Sequence, residues 1–199
     1  MKRLVSALGA LALLPALAAC GSSDDTADAA ESAPTSAVQA DSDPSVLTLD
    51  EVESMLAALE DMTGASRNEI RISAISYSPA GSLAVDALDP AAPTEFNQYI
   101  ANIYTDRREI RPYDYGGADK YEALEATLFP AGEVTPEIVH RAWEDSFTRV
   151  EGDPAELDAS GPRVSRDRSG VVEIAIVNGP ERDRQSVYYD AQGNFVEVS

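Results

Sequence analysis

Cysteine and histidine each occur once in the 199 residues, and cations are scarce, with 15 Lys and Arg against 35 Asp and Glu for a net charge of -20. One cysteine excludes an internal disulfide, and one cysteine with one histidine excludes a Cys/His metal cluster. No metal and no cofactor is therefore expected. A surface this negative lacks the counterion-release drive that draws proteins onto phosphate backbones, so nucleic acid is not an expected partner. It also repels anionic lipid headgroups, and a folded part of this charge should stand off from a membrane surface. The length suits one compact domain or two small ones.

The positive charge that opens the chain, Lys2 and Arg3, is followed by residues 4–19, an uncharged run of 16 rich in Leu and Ala. About 20 apolar residues are needed to span a hydrocarbon core, so the run reads as a cleaved export signal rather than a permanent helix. It closes on Leu17-Ala18-Ala19-Cys20-Gly21.

Those residues resemble the bacterial lipobox, in which a branched apolar residue and two small residues precede a cysteine. The resemblance implies that Cys20 takes a diacylglyceryl group on sulfur and that signal peptidase II cuts before it. The mature chain would then carry 13 cations against 35 acids, a net charge of -22. The single cysteine sits where the motif needs its thiol. With about 0.8 kcal/mol for each buried CH₂, two or more acyl chains would hold the protein stably. The Ala18-Ala19-Cys20-Gly21-Ser22-Ser23-Asp24-Asp25 passage is similar to lipoproteins of high-GC Gram-positive bacteria. That likeness implies the outer side of the cell membrane; in a Gram-negative cell the outer membrane would be the default.

Residues 21–45 are dominated by Ser, Ala, Asp, Thr and Pro and contain no aromatic side chain. Too little apolar surface exists there to offset ordering entropy, so a disordered acidic tether is expected. Its 25 residues would have an end-to-end distance of roughly 25–30 Å.

From Val46 the composition becomes globular. Thr48-Leu49-Asp50-Glu51 has the form of a capping box, and Leu49, Val52, Leu56, Leu59 and Met62 recur at helical spacing up to Gly64. A helix over about 49–62 follows. Alternation predicts strands around Ile70 and Ile72, over 83–87, over 96–105 and over 110–113. A second helix is expected over 120–128 and a third from Thr135-Pro136, with Val139, Ala142, Trp143, Phe147 and Val150 inward. A polar loop then leads to a strand over 171–177, and residues 185–189 and 194–198 form a hairpin about Gly193.

The predicted fold class is α+β: two related units, each a helix with an antiparallel sheet, placed after the signal peptide and tether. The divisions are 1–19 for the signal peptide, 20–45 for the lipidated cysteine and tether, 46–117 for the first unit and 118–199 for the second. Tyr104-Thr105-Asp106 would match Tyr188-Tyr189-Asp190 in a divergent duplication. In element order this is similar to the tandem repeats of the PepSY-like and beta-lactamase-inhibitor-protein-like groups and to actinobacterial lipoproteins of this length.

Candidate chemistry is sparse. His140 stands beside Val139 on the third helix, and no Gly-x-Ser-x-Gly elbow accompanies it; it reads as a boundary residue. Asp153, Glu156 and Asp158, and Asp114 with Asp119, lack the spacing of a calcium loop. Arg107, Arg108 and Arg111 read as a solvated turn balancing nearby acids. Tyr113, Tyr115 and Tyr121 surround Gly116-Gly117 and form the candidate interaction surface, since aromatics with a polar handle suit interfaces. No catalytic residue is assigned.

The function expected from sequence is a non-enzymatic binding or interaction module held on a membrane by its lipid, its partner an envelope protein or a small ligand. The alternatives are an envelope hydrolase with unrecognised catalytic residues and, by the repeat resemblance alone, an inhibitor or folding accessory of a secreted enzyme. Mass spectrometry of the native product should find Cys20 as the first residue, carrying a thioether-linked lipid. Cys20→Ser should move the protein out of the membrane fraction. An unmodified Cys20 would remove the anchor from the reading.

Overall fold

Thr48 starts the first helix as its sequence demands. In the computed structural model, which describes residues 46–113, 118–152 and 157–199, helix α1 spans Leu49–Thr63. The Glu51 N–H donates to Thr48 Oγ1 at 3.2 Å, and the Thr48 N–H donates to Glu51 Oε2 at 2.7 Å. Two of the helix's orphan donors are thereby satisfied. Gly64 ends the helix with φ 68°, and its N–H donates to the Glu60 carbonyl at 2.8 Å. Val52, Met55, Leu56 and Leu59 form the buried stripe.

An antiparallel meander follows: β1 (Arg71–Ser78), β2 (Ser82–Asp89), β3 (Ala92–Asn102) and β4 (Arg107–Pro112). Then come α2 (Ala118–Glu125), the two-residue β5 (Phe129–Pro130) and α3 (Pro136–Ser146). A second antiparallel meander closes the chain: β6 (Arg163–Arg166), β7 (Val172–Asn178), β8 (Gln185–Asp190) and β9 (Phe195–Val198). All join one sheet in the order β4-β3-β2-β1-β6-β7-β8-β9, with β5 added to β1. The class is α+β, as the sequence led one to expect.

The two meanders meet through their first strands. Ala74, Ile75 and Ser76 of β1 pair antiparallel with Ser165, Val164 and Arg163 of β6. Alternation decides the sides of the sheet. Leu83, Val85 and Ala87 of β2, and Val172, Ile174 and Ile176 of β7, are buried, while the residues between them are not. One continuous core, running from Leu47 through Met55, Val85 and Trp143 to Tyr189, fills the helix side. Within α3 and its end, Trp143 meets Phe147 edge-on at 5.0 Å.

Three sequence expectations need correction. The polar stretch before residue 171 contains β6: Val164 is its single buried residue, and pairing to β1 and β7 supplies what hydrophobic pattern does not. The strand expected to reach Thr105 stops at Asn102. There the Asn102 Oδ1 accepts from the N–H groups of Tyr104 at 3.1 Å and Thr105 at 2.9 Å, drawing the chain into a turn. Tyr104 thus lies outside the strand; its hydroxyl donates to Glu51, and its ring lies so close over Gly81 that a Cβ there would come within 2.5 Å of it.

The third concerns the match between halves. Register pairs Tyr99 of β3 with Val85, and Tyr189 of β8 with Ile174, the middle buried residue of the central strand in each case. Tyr104, expected to match Tyr188 of β8, lies beyond the end of β3, and the β3 residue at the register position of Tyr189 is Tyr99.

Gly161 sets the approach to the junction. A Cβ at this position would come within 1.7 Å of the Tyr77 carbonyl oxygen, beside the bond in which the Tyr77 N–H donates to Pro162 at 2.9 Å. Gly161→Ala should lower unfolding stability by about 1–3 kcal/mol, the usual cost of overpacking against a fixed backbone. Urea denaturation of the variant beside the parent chain measures it.

Candidate functional site

The residues assigned to anchoring, Leu17, Ala18, Ala19 and Cys20, lie outside the described residues, as does Tyr115. Asp114, Asp153 and Glu156 also lie outside them, so the calcium-loop question has no structural answer at those positions. Tyr113 and Tyr121 are described, and both attach to the beginning of β3. The Tyr113 N–H donates to the Phe96 carbonyl at 2.8 Å, and the two rings meet edge-on with centroids 5.3 Å apart. Tyr121, on α2, donates its hydroxyl to the Pro93 carbonyl at 2.7 Å.

This corner is uncovered because β4 is an edge strand, paired to β3 alone. Tyr113 is 49% exposed and Ile110 is 50% exposed, while Phe96 beneath is buried. The arginines of β4 are committed to one another's neighbours. Arg111 Nε donates to Glu109 Oε1 at 2.5 Å and Arg107 pairs with the same carboxylate, holding its pKa down at about 2. Arg108 stands 3.5 Å from Asp106. The reading of these cations as a turn balancing local acids agrees with that geometry.

A cavity of about 410 Å³ lies beside the corner, where the end of α1 faces the β2–β3 hairpin. Gly64, Ala65, Glu69, Arg71, Asp89 and Pro93 are among its walls. Asp89 accepts from the Ala91 N–H at 2.8 Å and from Asn97 Nδ2 at 3.4 Å. The hydroxyl of buried Tyr99 has no hydrogen-bond partner among the described residues. Burial raises its pKa above the ordinary phenol value against the opposing pull of the nearby Asn97 side chain, which stands outside good hydrogen-bond geometry. The charges of Asp89 and Glu95 add to the rise. Sequence reasoning passed over Asp89, Asn97 and Tyr99; the alternation Asn97, Tyr99, Ala101 was the available signal that they share the inner face.

The equivalent position in the second meander is fully used. Tyr189 donates its hydroxyl to Asp145 Oδ2 at 3.0 Å, and Arg149 holds the same carboxylate through Nε at 2.7 Å and Nη2 at 3.1 Å. Arg149 lies 4.4 Å from the Phe195 ring centroid. Arg149, then the Tyr189 hydroxyl, draws the Asp145 pKa down against its partial burial. Burial and the Asp145 carboxylate push the Tyr189 phenol well above its ordinary range. The network ties α3 to β8 and β9.

His140 stands on α3, partly buried, with Nδ1 3.6 Å from Glu144 Oε2. Among the described residues no group of three or more His, Cys, Asp or Glu side chains is placed to hold a metal ion. No helix among them is long and apolar enough to cross a membrane.

No family model and no curated protein matches the chain. The solved structures include one similar chain, described as a "putative lipoprotein" from Clostridium difficile 630. It is 11% identical, with a TM-score of 0.47 over 80% of this chain and 95% of that one. That likeness is too distant to carry function across, and the similarity to the tandem-repeat groups rests on element order.

The two counterpart tyrosines should respond differently to loss of the hydroxyl. Tyr99→Phe removes an unpartnered polar atom and should leave stability unchanged or raise it by up to about 1 kcal/mol. Tyr189→Phe should cost about 1–2 kcal/mol, moderated because Asp145 is partly solvated. Chemical denaturation of both variants tests the contrast; a destabilised Tyr99→Phe would show that this hydroxyl has a partner in solution.

Proposed function

We propose that this chain is a lipid-anchored protein of the cell envelope and works, outside the cytoplasm, as a non-enzymatic interaction module for another envelope protein. The anchor is read from Leu17-Ala18-Ala19-Cys20 at the end of an uncharged run. The lipid supplies attachment, the acidic segment after it supplies reach, and the folded part within residues 46–199 is the cargo.

The β4 corner carries the interaction half of this reading. Ile110 and Tyr113 are each half exposed, and the Tyr113 ring is backed by buried Phe96. An aromatic ring open on one side and backed by a buried ring on the other is the kind of anchor that concentrates binding energy at interfaces. Tyr121, fixed to the same end of β3 through Pro93, adds a second amphipathic ring to the corner.

A photoreactive phenylalanine analogue at position 113 of the full chain should crosslink in intact cells to a distinct envelope protein. The same analogue at position 110, which register sets opposite Tyr99 on the other face of the strand, should give that product weakly or not at all. Equal crosslinking from position 110, or none above background at position 113, would overturn the corner as the docking surface.

A further inference from the structure

In a chain so rich in acids, six of the twelve described arginines lie within 4 Å of a carboxylate. They are Arg67, Arg107, Arg108, Arg111, Arg149 and Arg184. Arg163, Arg166 and Arg168 make no ion pair among the described residues, and all three line one groove. It has a volume of about 410 Å³ and lies at the junction of β1 and β6, walled by Thr127 and by the turn that carries Gly170.

Two of the three guanidinium groups are held in place. Arg166 donates through Nε to the Thr127 carbonyl at 3.1 Å and through Nη1 to the Gly170 carbonyl at 2.5 Å, with its plane 5.5 Å from the Phe129 ring centroid. Arg163 donates through Nη1 to Ser76 Oγ at 3.1 Å. Each guanidinium carries five N–H donors, so donors are left over on both. The Ser73 and Ser165 side chains line the same groove.

The acid that lines the groove, Asp167, is engaged by its own turn. Asp167 accepts from the Ser169 hydroxyl and from the N–H groups of Ser169 and Val171, all at 2.8 Å, and these bonds hold its pKa down. Glu173, the register partner of Ser165, is raised by burial and by the charges of Asp167 and Glu197, with no cation among the causes. Neither acid neutralises the arginines.

From this arrangement we infer that the β1–β6 groove is a binding site for a small polyanion, bearing phosphate or carboxylate groups, held by Arg163, Arg166 and Arg168. Guanidinium groups give such oxygens paired, directional donors, and the serine hydroxyls supply neutral ones. The site is independent of the β4 corner, from which β3 and β2 separate it in the sheet.

The full chain in a neutral detergent, at low salt, is titrated by calorimetry with pyrophosphate and separately with citrate. Saturable one-to-one binding of either, with Kd near or below about 1 mM, is expected, and which probe binds tells phosphate from carboxylate recognition. Arg163→Gln with Arg168→Gln should weaken it at least tenfold. Arg182→Gln with Arg184→Gln, an equal charge change at the opposite end of β7, should leave it within twofold. If the double groove variant folds poorly, Arg168→Gln alone should still weaken binding severalfold, since this exposed side chain makes no hydrogen bond or ion pair among the described residues. Absence of saturable heat with both probes overturns the inference. So does binding unaffected by the groove substitutions, or an equal loss in the Arg182/Arg184 pair.

Discussion

The short ladder between β1 and β6 is the constraint on which the rest of the structure depends. Three residue pairs, Ala74–Ser165, Ile75–Val164 and Ser76–Arg163, turn two small meanders into one sheet. A four-stranded meander with one helix buries little apolar area for the entropy it must overcome. Joined edge to edge, the meanders put α1 and α3 side by side on a shared core, and Trp143 and Met55 belong to the same cluster. Gly161 is the local requirement for that union, because no side chain fits between its backbone and Tyr77.

Much of this was legible in the residues. Thr48 and Glu51 announce the start of α1 by side-chain chemistry alone, and Gly64 its end, because both signals act within a few residues. Alternation at Leu83, Val85 and Ala87 likewise marks β2 and its inner face. What could not be read is whatever depends on distant partners. Arg163-Val164-Ser165-Arg166 has one buried apolar residue, and it is a strand because β1 and β7 flank it. The arginine groove was hidden for the same reason: Ser73 and Arg163 are far apart in the chain and meet only through the junction. Tyr104 misled because the strand ending is set by the Asn102 side chain, which competes for the backbone donors ahead of it. For the interaction surface, Tyr113 and Tyr121 do share a neighbourhood, yet Phe96 and Pro93, which bring them there, were not singled out.

Tyr99 and Tyr189 hold like register positions in the two meanders yet meet different surroundings. Both rings fill the same place over a central strand. Around Tyr189 the second half supplies Asp145 and Arg149 from α3 and its end, and the hydroxyl is bound. Around Tyr99 the first half supplies no acceptor, and Asp89 is engaged with Asn97 and Ala91 instead. Tyr189 ties helix to sheet through its hydroxyl, while Tyr99 contributes its ring to the core.

Among the described residues, the strand order leaves β4 and β9 each paired along one side alone. The four residues of β9 offer a short template. Along the six residues of β4 stand Arg107, Arg108 and Arg111, so two copies of this protein brought edge to edge would set guanidinium against guanidinium. Such a border discourages self-association and fibre growth without closing the edge to others.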